Sequence, residues 1–249
     1  MQERLLKKYE QEVRNELVRL GKNFKPVQES YFNSELQFIA AIPMATQRSI
    51  HKKGFSFTSK EDPVKVWDAI WKRSECFEVL NQCLFHFELK HKRIGLDLSD
   101  WKVLKTWGKK VDNWAHSDSL SSLYAILHEN NPDILYPEFV KWNKKPNPWL
   151  RRLSIVSLYY YSAQRKNPLS FKKALPMVKN LLADDHLYVQ KGVGWTLREM
   201  YNIYPVRTLR LIDIYVGLLH PAAWQAATEK LSAKDKALLK EKRRSLRGK

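Results

Sequence analysis

The sequence predicts an all-α chain, built of antiparallel helix pairs stacked as an α-solenoid, and three observations predict it. Apolar residues recur at helical spacing almost throughout, and no segment alternates as a strand would. The helical segments number roughly a dozen, each of about 10–18 residues, an evenness that suits stacked pairs. Short turns rich in Pro, Asn, Asp and Ser join them without a long linker, so the 249 residues read as one domain, 1–249. A basic C-terminal helix or tail at 230–249 closes it. A compact irregular helical bundle is the alternative packing.

The elements follow from local signals. Residues 1–20 alternate charge and leucine as an amphipathic helix ended by Gly21. A second helix is expected from about Glu29 through Tyr31 and Phe38 to Ala41, and a third after Pro43 as far as His51. Asp62 as N-cap with Pro63 in the first turn opens VKVWDAIWKRS, which places Trp67 and Trp71 four apart on one apolar, core-facing side. ECFEVLNQCLFHFELKH is strongly amphipathic, Ser99 or Asp100 caps a helix beginning at Trp101, and another runs from about Val111 to His128. NPDILYPEFVKWNKK follows, then WLRRLSIVSLYYYSAQR as one long helix after Pro146 and Pro148. SFKKALPMVKNLLA precedes DDHLYVQKGVGWTLREMYN, capped by Asp184 or Asp185; Pro205 and Pro221 open the last elements, with a Lys/Arg-rich helix from Ala233 onward.

Composition narrows the function. Hydrophobic residues make up 44% and mean hydropathy is −0.51, a soluble globular balance. No apolar run reaches the roughly 18–20 residues of a spanning helix, and the N-terminus lacks a secretion signal, so a cytoplasmic, nucleoid-associated protein is expected, with no membrane partner. Cys76 and Cys83 lie seven apart in one apparent helix, about 10 Å apart at 1.5 Å per residue, too far for a disulfide and expected to be reduced core thiols. No HExxH pair or Cys/His cluster is present, so no metal site is expected. Net charge is +18, and its placement is informative. Val140 to Ala183 holds ten Lys/Arg and no acid, a net of +10; Lys230 to Lys249 holds nine basic and two acidic residues, a net of +7. Positive charge concentrated this way points to a polyanion such as nucleic acid.

Four stretches carry candidate chemistry. YFNSELQFIAAIP contributes Tyr31 and Phe38, and DNWAHSD puts Trp114 and Asp118 one helical turn apart. NPWLRRLSI sets Trp149 in a first turn with Arg151 and Arg152 behind it, after the Lys144–Lys145 pair. In KGVGWTLREM, Lys191 and Trp195 share a face, with Arg198 two turns from Lys191. Gly192 and Gly194 each cost roughly 1 kcal/mol against alanine inside a helix, an expense that close packing or close approach of a ligand would offset. Taken alone, Trp195 fits an ordinary buried tryptophan better than a nucleic-acid contact.

In their order and spacing these motifs resemble the DNA alkylation repair family of HEAT-like glycosylases, from about Tyr31 to Tyr204. The resemblance implies a HEAT-like α-solenoid whose concave basic face holds double-stranded DNA containing alkylated bases. It implies excision of positively charged alkylated purines, such as 3-methyladenine and 7-methylguanine, without metal or cofactor, and without flipping the base from the stack. Residue by residue, Asp118 matches the catalytic carboxylate, Trp114 and Trp195 the aromatic pair at the damaged nucleotide, and Arg152 the arginine gripping the backbone beside it. Tyr31 matches a third aromatic wall residue. Arg151, Lys191, Arg198, Lys144 and Lys145 are expected on phosphates, and the protein is expected to act as a monomer. Asp112 is a competing carboxylate, but two residues before Trp114 it points to another side of the helix. Two departures stand out: Asn113 where many members have a second tryptophan, and AAIP, with Ile42, where a small-residue turn with glycine is usual. They keep open a non-catalytic HEAT-like module for damaged or branched DNA. A protein-interaction scaffold is a third reading, disfavoured by the concentrated positive charge unless its partner is acidic.

Overall fold

The structure is a computed structural model describing residues 2–247, with the backbone alone at Glu29. Met1, at the start of the first expected helix, and Gly248 and Lys249, at the end of the expected basic tail, lie outside the described residues. Among the described residues there are thirteen α-helices and two short 3-10 turns, and β-structure is limited to one isolated bridge, Gln37 to Cys76. No described helix is long and apolar enough to cross a membrane. The chain forms two compact units, Met1–Ser119 and Leu120–Lys249.

The first unit comprises α1 (Glu3–Gly21), α2 (Met44–Lys53), α3 (Pro63–Arg73), α4 (Phe77–Ile94), α5 (Leu98–Trp107) and the first turns of α6 (Trp114–Asn130). Its centre is α4, buried on nearly every side over residues 77–85, which α1, α2 and α3 surround. Trp67 and Trp71 are each 1% exposed, as their spacing predicts, and Trp71 stacks on Trp107 with ring centroids 4.5 Å apart. Asp62 caps α3 by accepting from Val64 N, with Pro63 beside it. Cys76 and Cys83 are free and buried, and burial pushes the Cys76 thiol up to about 11.

Two expectations change in this unit. The helix expected over Glu29–Ala41 is a single 3-10 turn, Glu29–Tyr31, followed by an extended strap. The strap's N–H groups find partners far away in sequence, which removes the need for helical ones. Gln37 N donates to Glu75 O at 2.8 Å, while Ile39 N and Ala40 N donate to the Glu78 carboxylate at 3.0 and 3.3 Å. The cap of α5 is Asp97 rather than Ser99 or Asp100: it accepts from Ser99 N and Asp100 N, and Asp100 accepts from Asp97 N in return.

The second unit holds the rest of α6, then α7 (Pro132–Trp142), α8 (Pro148–Val156), α9 (Phe171–Asn180), α10 (Leu187–Ile203), α11 (Pro205–Tyr215), α12 (Pro221–Ala227) and α13 (Ala233–Arg247). Here α10 is central, packing against α8, α9, α11 and α12. Proline opens α7, α8, α11 and α12, as it does α3, because a first-turn N–H has no intrahelical hydrogen bond to lose. The long helix expected over 149–165 stops at Val156. Tyr161 adopts φ 47°, and Ser162 donates from N and Oγ to the buried Glu199 carboxylate at 2.9 and 2.7 Å, which turns the chain. The N-cap of α10 is His186, not Asp184 or Asp185. The basic C-terminal segment is helical to Arg247, and part of its charge is structural. Arg243, 8% exposed, donates to Val216 O and Leu219 O, and its guanidinium lies 5.1 Å over the Trp224 ring.

Candidate functional site

In the first unit the candidate residues are organised by the start of α6. Asn113 is fully buried and acts as its cap: Oδ1 accepts from His116 N at 2.9 Å, and Nδ2 donates to Asp112 Oδ1 at 2.9 Å. Trp114 is therefore the first helical residue and Asp118 follows one turn later, both half-buried. The Trp114 indole is held on three sides. Its Nε1 donates to Tyr31 O at 3.2 Å, Phe32 stacks on it at 5.6 Å and 14°, and Tyr31 meets it edge-on at 5.5 Å. Phe32 in turn packs on Phe38 and Phe77, so the shelf is anchored to α4. Tyr31 remains 62% exposed. Sequence reasoning passed over Phe32, although the adjacent Tyr31–Phe32 pair is a visible signal.

The competing carboxylate is occupied. Asp112 accepts from Ser34 Oγ at 2.7 Å and Glu35 N at 2.9 Å, pinning the strap that carries the aromatic shelf. Glu78 pins its other end; burial raises that carboxyl's pKa, opposed by the backbone N–H bonds it accepts. Ile42 is 5% exposed and simply fills the core beneath this strap.

In the second unit the candidates sit on α8 and α10. Arg152 is 5% exposed, and Gly192 makes room for it: a Cβ there would meet Arg152 Cγ at 3.0 Å and Val156 Cγ2 at 3.3 Å. Gly194 does different work, since a Cβ would meet Ala223 O at 2.4 Å and Ala223 Cα at 2.7 Å. Both glycines thus serve close helix packing. Trp195 is half-buried, stacked on Tyr160 at 5.1 Å, with the Arg198 guanidinium 5.6 Å from its ring centre. Arg198 also bonds Glu199 at 3.1 Å and Glu229 at 2.9 Å.

The remaining cations divide into held and exposed. Arg151 pairs with Asp184 at 2.6 and 3.1 Å and donates to the carbonyls of Lys145 and Pro146, fixing the turn before α8. Lys144 and Lys145, on that turn, are exposed. Lys191 is exposed, its Nζ 4.9 Å over the Tyr188 ring. The structure therefore brings Tyr31 to Trp114 and Arg198 to Trp195, and seats Arg152 on Gly192. Among the described residues no three His, Cys, Asp or Glu side chains gather as metal ligands.

The profile of a family described as "DNA alkylation repair enzyme" matches residues 13–231, a span that includes every one of these side chains. The chain belongs to the DNA alkylation repair family. Two solved structures share its fold. A predicted DNA alkylation repair enzyme from Enterococcus faecalis is 14% identical over 84% of this chain and 98% of its own, with a TM-score of 0.67. AlkD2 from Streptococcus mutans is 16% identical over 93% of this chain and 97% of its own, with a TM-score of 0.52. No curated protein matches the sequence. As a member of the DNA alkylation repair family, the protein has the HEAT-like helical fold and a role in repairing alkylated DNA, with DNA as its partner.

Proposed function

We propose that the protein is a DNA glycosylase that excises positively charged alkylated purines, 3-methyladenine and 7-methylguanine among them, from duplex DNA. The observation that carries this reading is Trp114 and Asp118 one turn apart at the start of α6, with the indole braced by Phe32 and the Tyr31 carbonyl. The leaving purine is already cationic, so no acid need protonate it. As the C1′–N bond breaks, its electron pair departs with the base and the sugar gains oxocarbenium character. The Asp118 carboxylate stabilises that charge and takes a proton from the water that adds to C1′. Indole faces attract cations by about 0.5–2 kcal/mol each, so Trp114 and Trp195 favour the cationic lesion and sugar over neutral DNA. Tyr31 extends the aromatic wall. Arg152 grips the backbone beside the lesion, and Lys144, Lys145 and Lys191 supply phosphate contacts that carry no sequence choice. Arg151 and Arg198, each engaged with carboxylates, contribute field and hold their segments while facing phosphates. The protein acts as a monomer, in the cytoplasm at the nucleoid.

Methylated duplex DNA incubated with the protein should release methylated bases, and Asp118→Asn should slow release by about 100-fold or more. Folded, DNA-bound protein that releases no base above background overturns the enzymatic reading. Asn113, a buried helix cap where many members carry a tryptophan, favours one second reading: a non-catalytic protein that binds damaged or branched DNA. That reading expects salt-dependent binding, no base release, and the same affinity in Asp118→Asn.

A further inference from the structure

The turn between α8 and α9 holds a tyrosine in a conformation that tyrosine rarely takes. Among the described residues only Asn33 and Tyr161 adopt positive φ without being glycine, at 49° and 47°. Asparagine tolerates the left-handed region, whereas for a bulky side chain it is a costly outlier. The surroundings impose it from both sides. Before it, Tyr159 is fully buried and donates from its hydroxyl to Leu169 O at 2.7 Å. After it, Ser162 donates from N and Oγ to the buried Glu199 carboxylate, whose other oxygen accepts from Arg198 at 3.1 Å. The fold offsets little of that cost through the Tyr161 ring, which remains 53% exposed. Strain held in place under an exposed aromatic ring points to a ligand contact.

The ring's neighbours say which ligand. Tyr160 stacks on Trp195 at 5.1 Å and meets Tyr161 edge-on at 4.7 Å, so two half-buried rings lead to an exposed one. Tyr161 therefore lies no farther from Trp195 than those two distances together, less than three base-pair steps of about 3.4 Å each. The segment Val140 to Ala183, which carries the turn, has ten Lys/Arg and no acid, and Glu199 beneath it is paired with Arg198. An aromatic face on such positive ground suits a nucleic acid, whose phosphates meet the cations. In a duplex the base faces are taken by stacking, which leaves the apolar rim of the deoxyribose to an external ring. We infer that Tyr161 is a further DNA-contacting residue, packing its ring on the deoxyribose of a nucleotide flanking the one that Trp195 addresses. The inference rests on the proposed place of Trp195 at the damaged nucleotide. Tyr161 is a positioning residue: it holds the strand in register and does not touch the bond that breaks.

The test measures duplex affinity, base release and urea unfolding on the full chain, with a 7-methylguanine duplex and its unmethylated twin as probes. Tyr161→Leu removes the ring, Tyr161→Gly removes ring and strain together, and Tyr161→Phe keeps the ring. Tyr161→Leu and Tyr161→Gly should each weaken binding about tenfold, and Tyr161→Phe should restore it to within about twofold of the native chain. The loss should be the same on both duplexes, since a sugar contact does not read the base. Base release at low DNA concentration should fall by the same factor. Tyr161→Gly should unfold at the same or a higher urea concentration while binding less well, a combination that a merely structural role does not give. Undiminished affinity in Tyr161→Leu and Tyr161→Gly, an equal loss in Tyr161→Phe, a loss confined to the methylated duplex, or a lower unfolding midpoint for Tyr161→Gly overturns the inference. A native chain that binds the duplex but releases no base overturns the glycosylase reading alone, because the affinity ranking still decides Tyr161.

Discussion

Gly192 and Gly194, two positions apart in α10, meet different obstacles, and that difference separates two kinds of substitution. At Gly194 the obstacle is the Ala223 backbone, which cannot swing aside, so Gly194→Ala should destabilise the second unit by about 1–3 kcal/mol in urea unfolding. At Gly192 the obstacle is the flexible middle of the Arg152 side chain. Gly192→Ala should cost less than Gly194→Ala yet shift Arg152, lowering base release by about tenfold at saturating DNA. Equal stability losses with untouched activity would break the link between Gly192 and Arg152. Asp118 belongs to this scale too: under the proposed excision chemistry its replacement should read out on base release.

At the scale of elements, the start of α6 and the strap before α2 depend on one another. Asn113 caps the helix and holds Asp112, and Asp112 holds Ser34 and Glu35 on the strap. Asn113→Ala should therefore cost about 1–2 kcal/mol of stability and loosen the Tyr31–Phe32 shelf, seen as a change in Trp114 fluorescence. A stability loss without any change at Trp114 would show the cap acting alone. Helices whose ends are written locally were legible in sequence. Pro63, Pro148, Pro205 and Pro221 mark starts that the structure keeps, as does Asp62. The strap and the 157–165 turn were not legible. Their helical spacing is real, but Glu78 and Glu199, far away in sequence, accept the N–H groups a helix would have used. The long-range partner wins because it is buried and charged, where each bond is stronger than one between neutral groups.

For the molecule as a whole, buried histidines set the acid limit. His51 lies near pKa 3, and His116 and His128 near 4, against 6.5 unfolded, in each case chiefly because burial disfavours the cation. The unfolded chain thus binds more protons below about pH 6.5, and stability falls as pH drops from there toward 4, by up to about 1.4 kcal/mol per pH unit for each histidine. Glu78, whose pKa burial raises, opposes this near pH 4.5, so the clean window is pH 7 to 5. Urea unfolding across that window should show the slope, and His116→Gln should flatten it. Parallel slopes for both proteins would exclude the linkage.

Periodicity, prolines and caps were enough, from sequence alone, to settle an all-helical chain and the order of most of its helices, because those signals act within a turn or two. The motif order was likewise enough to reach the DNA alkylation repair family. Only the tertiary structure decided what the individual side chains do. It gave Asp112 to the strap and Arg151 to Asp184, and it made both glycines of KGVGW points of helix contact. A charge or a bare backbone looks the same in sequence whether a ligand or a neighbouring helix answers it; the identity of that neighbour exists only once the chain is packed.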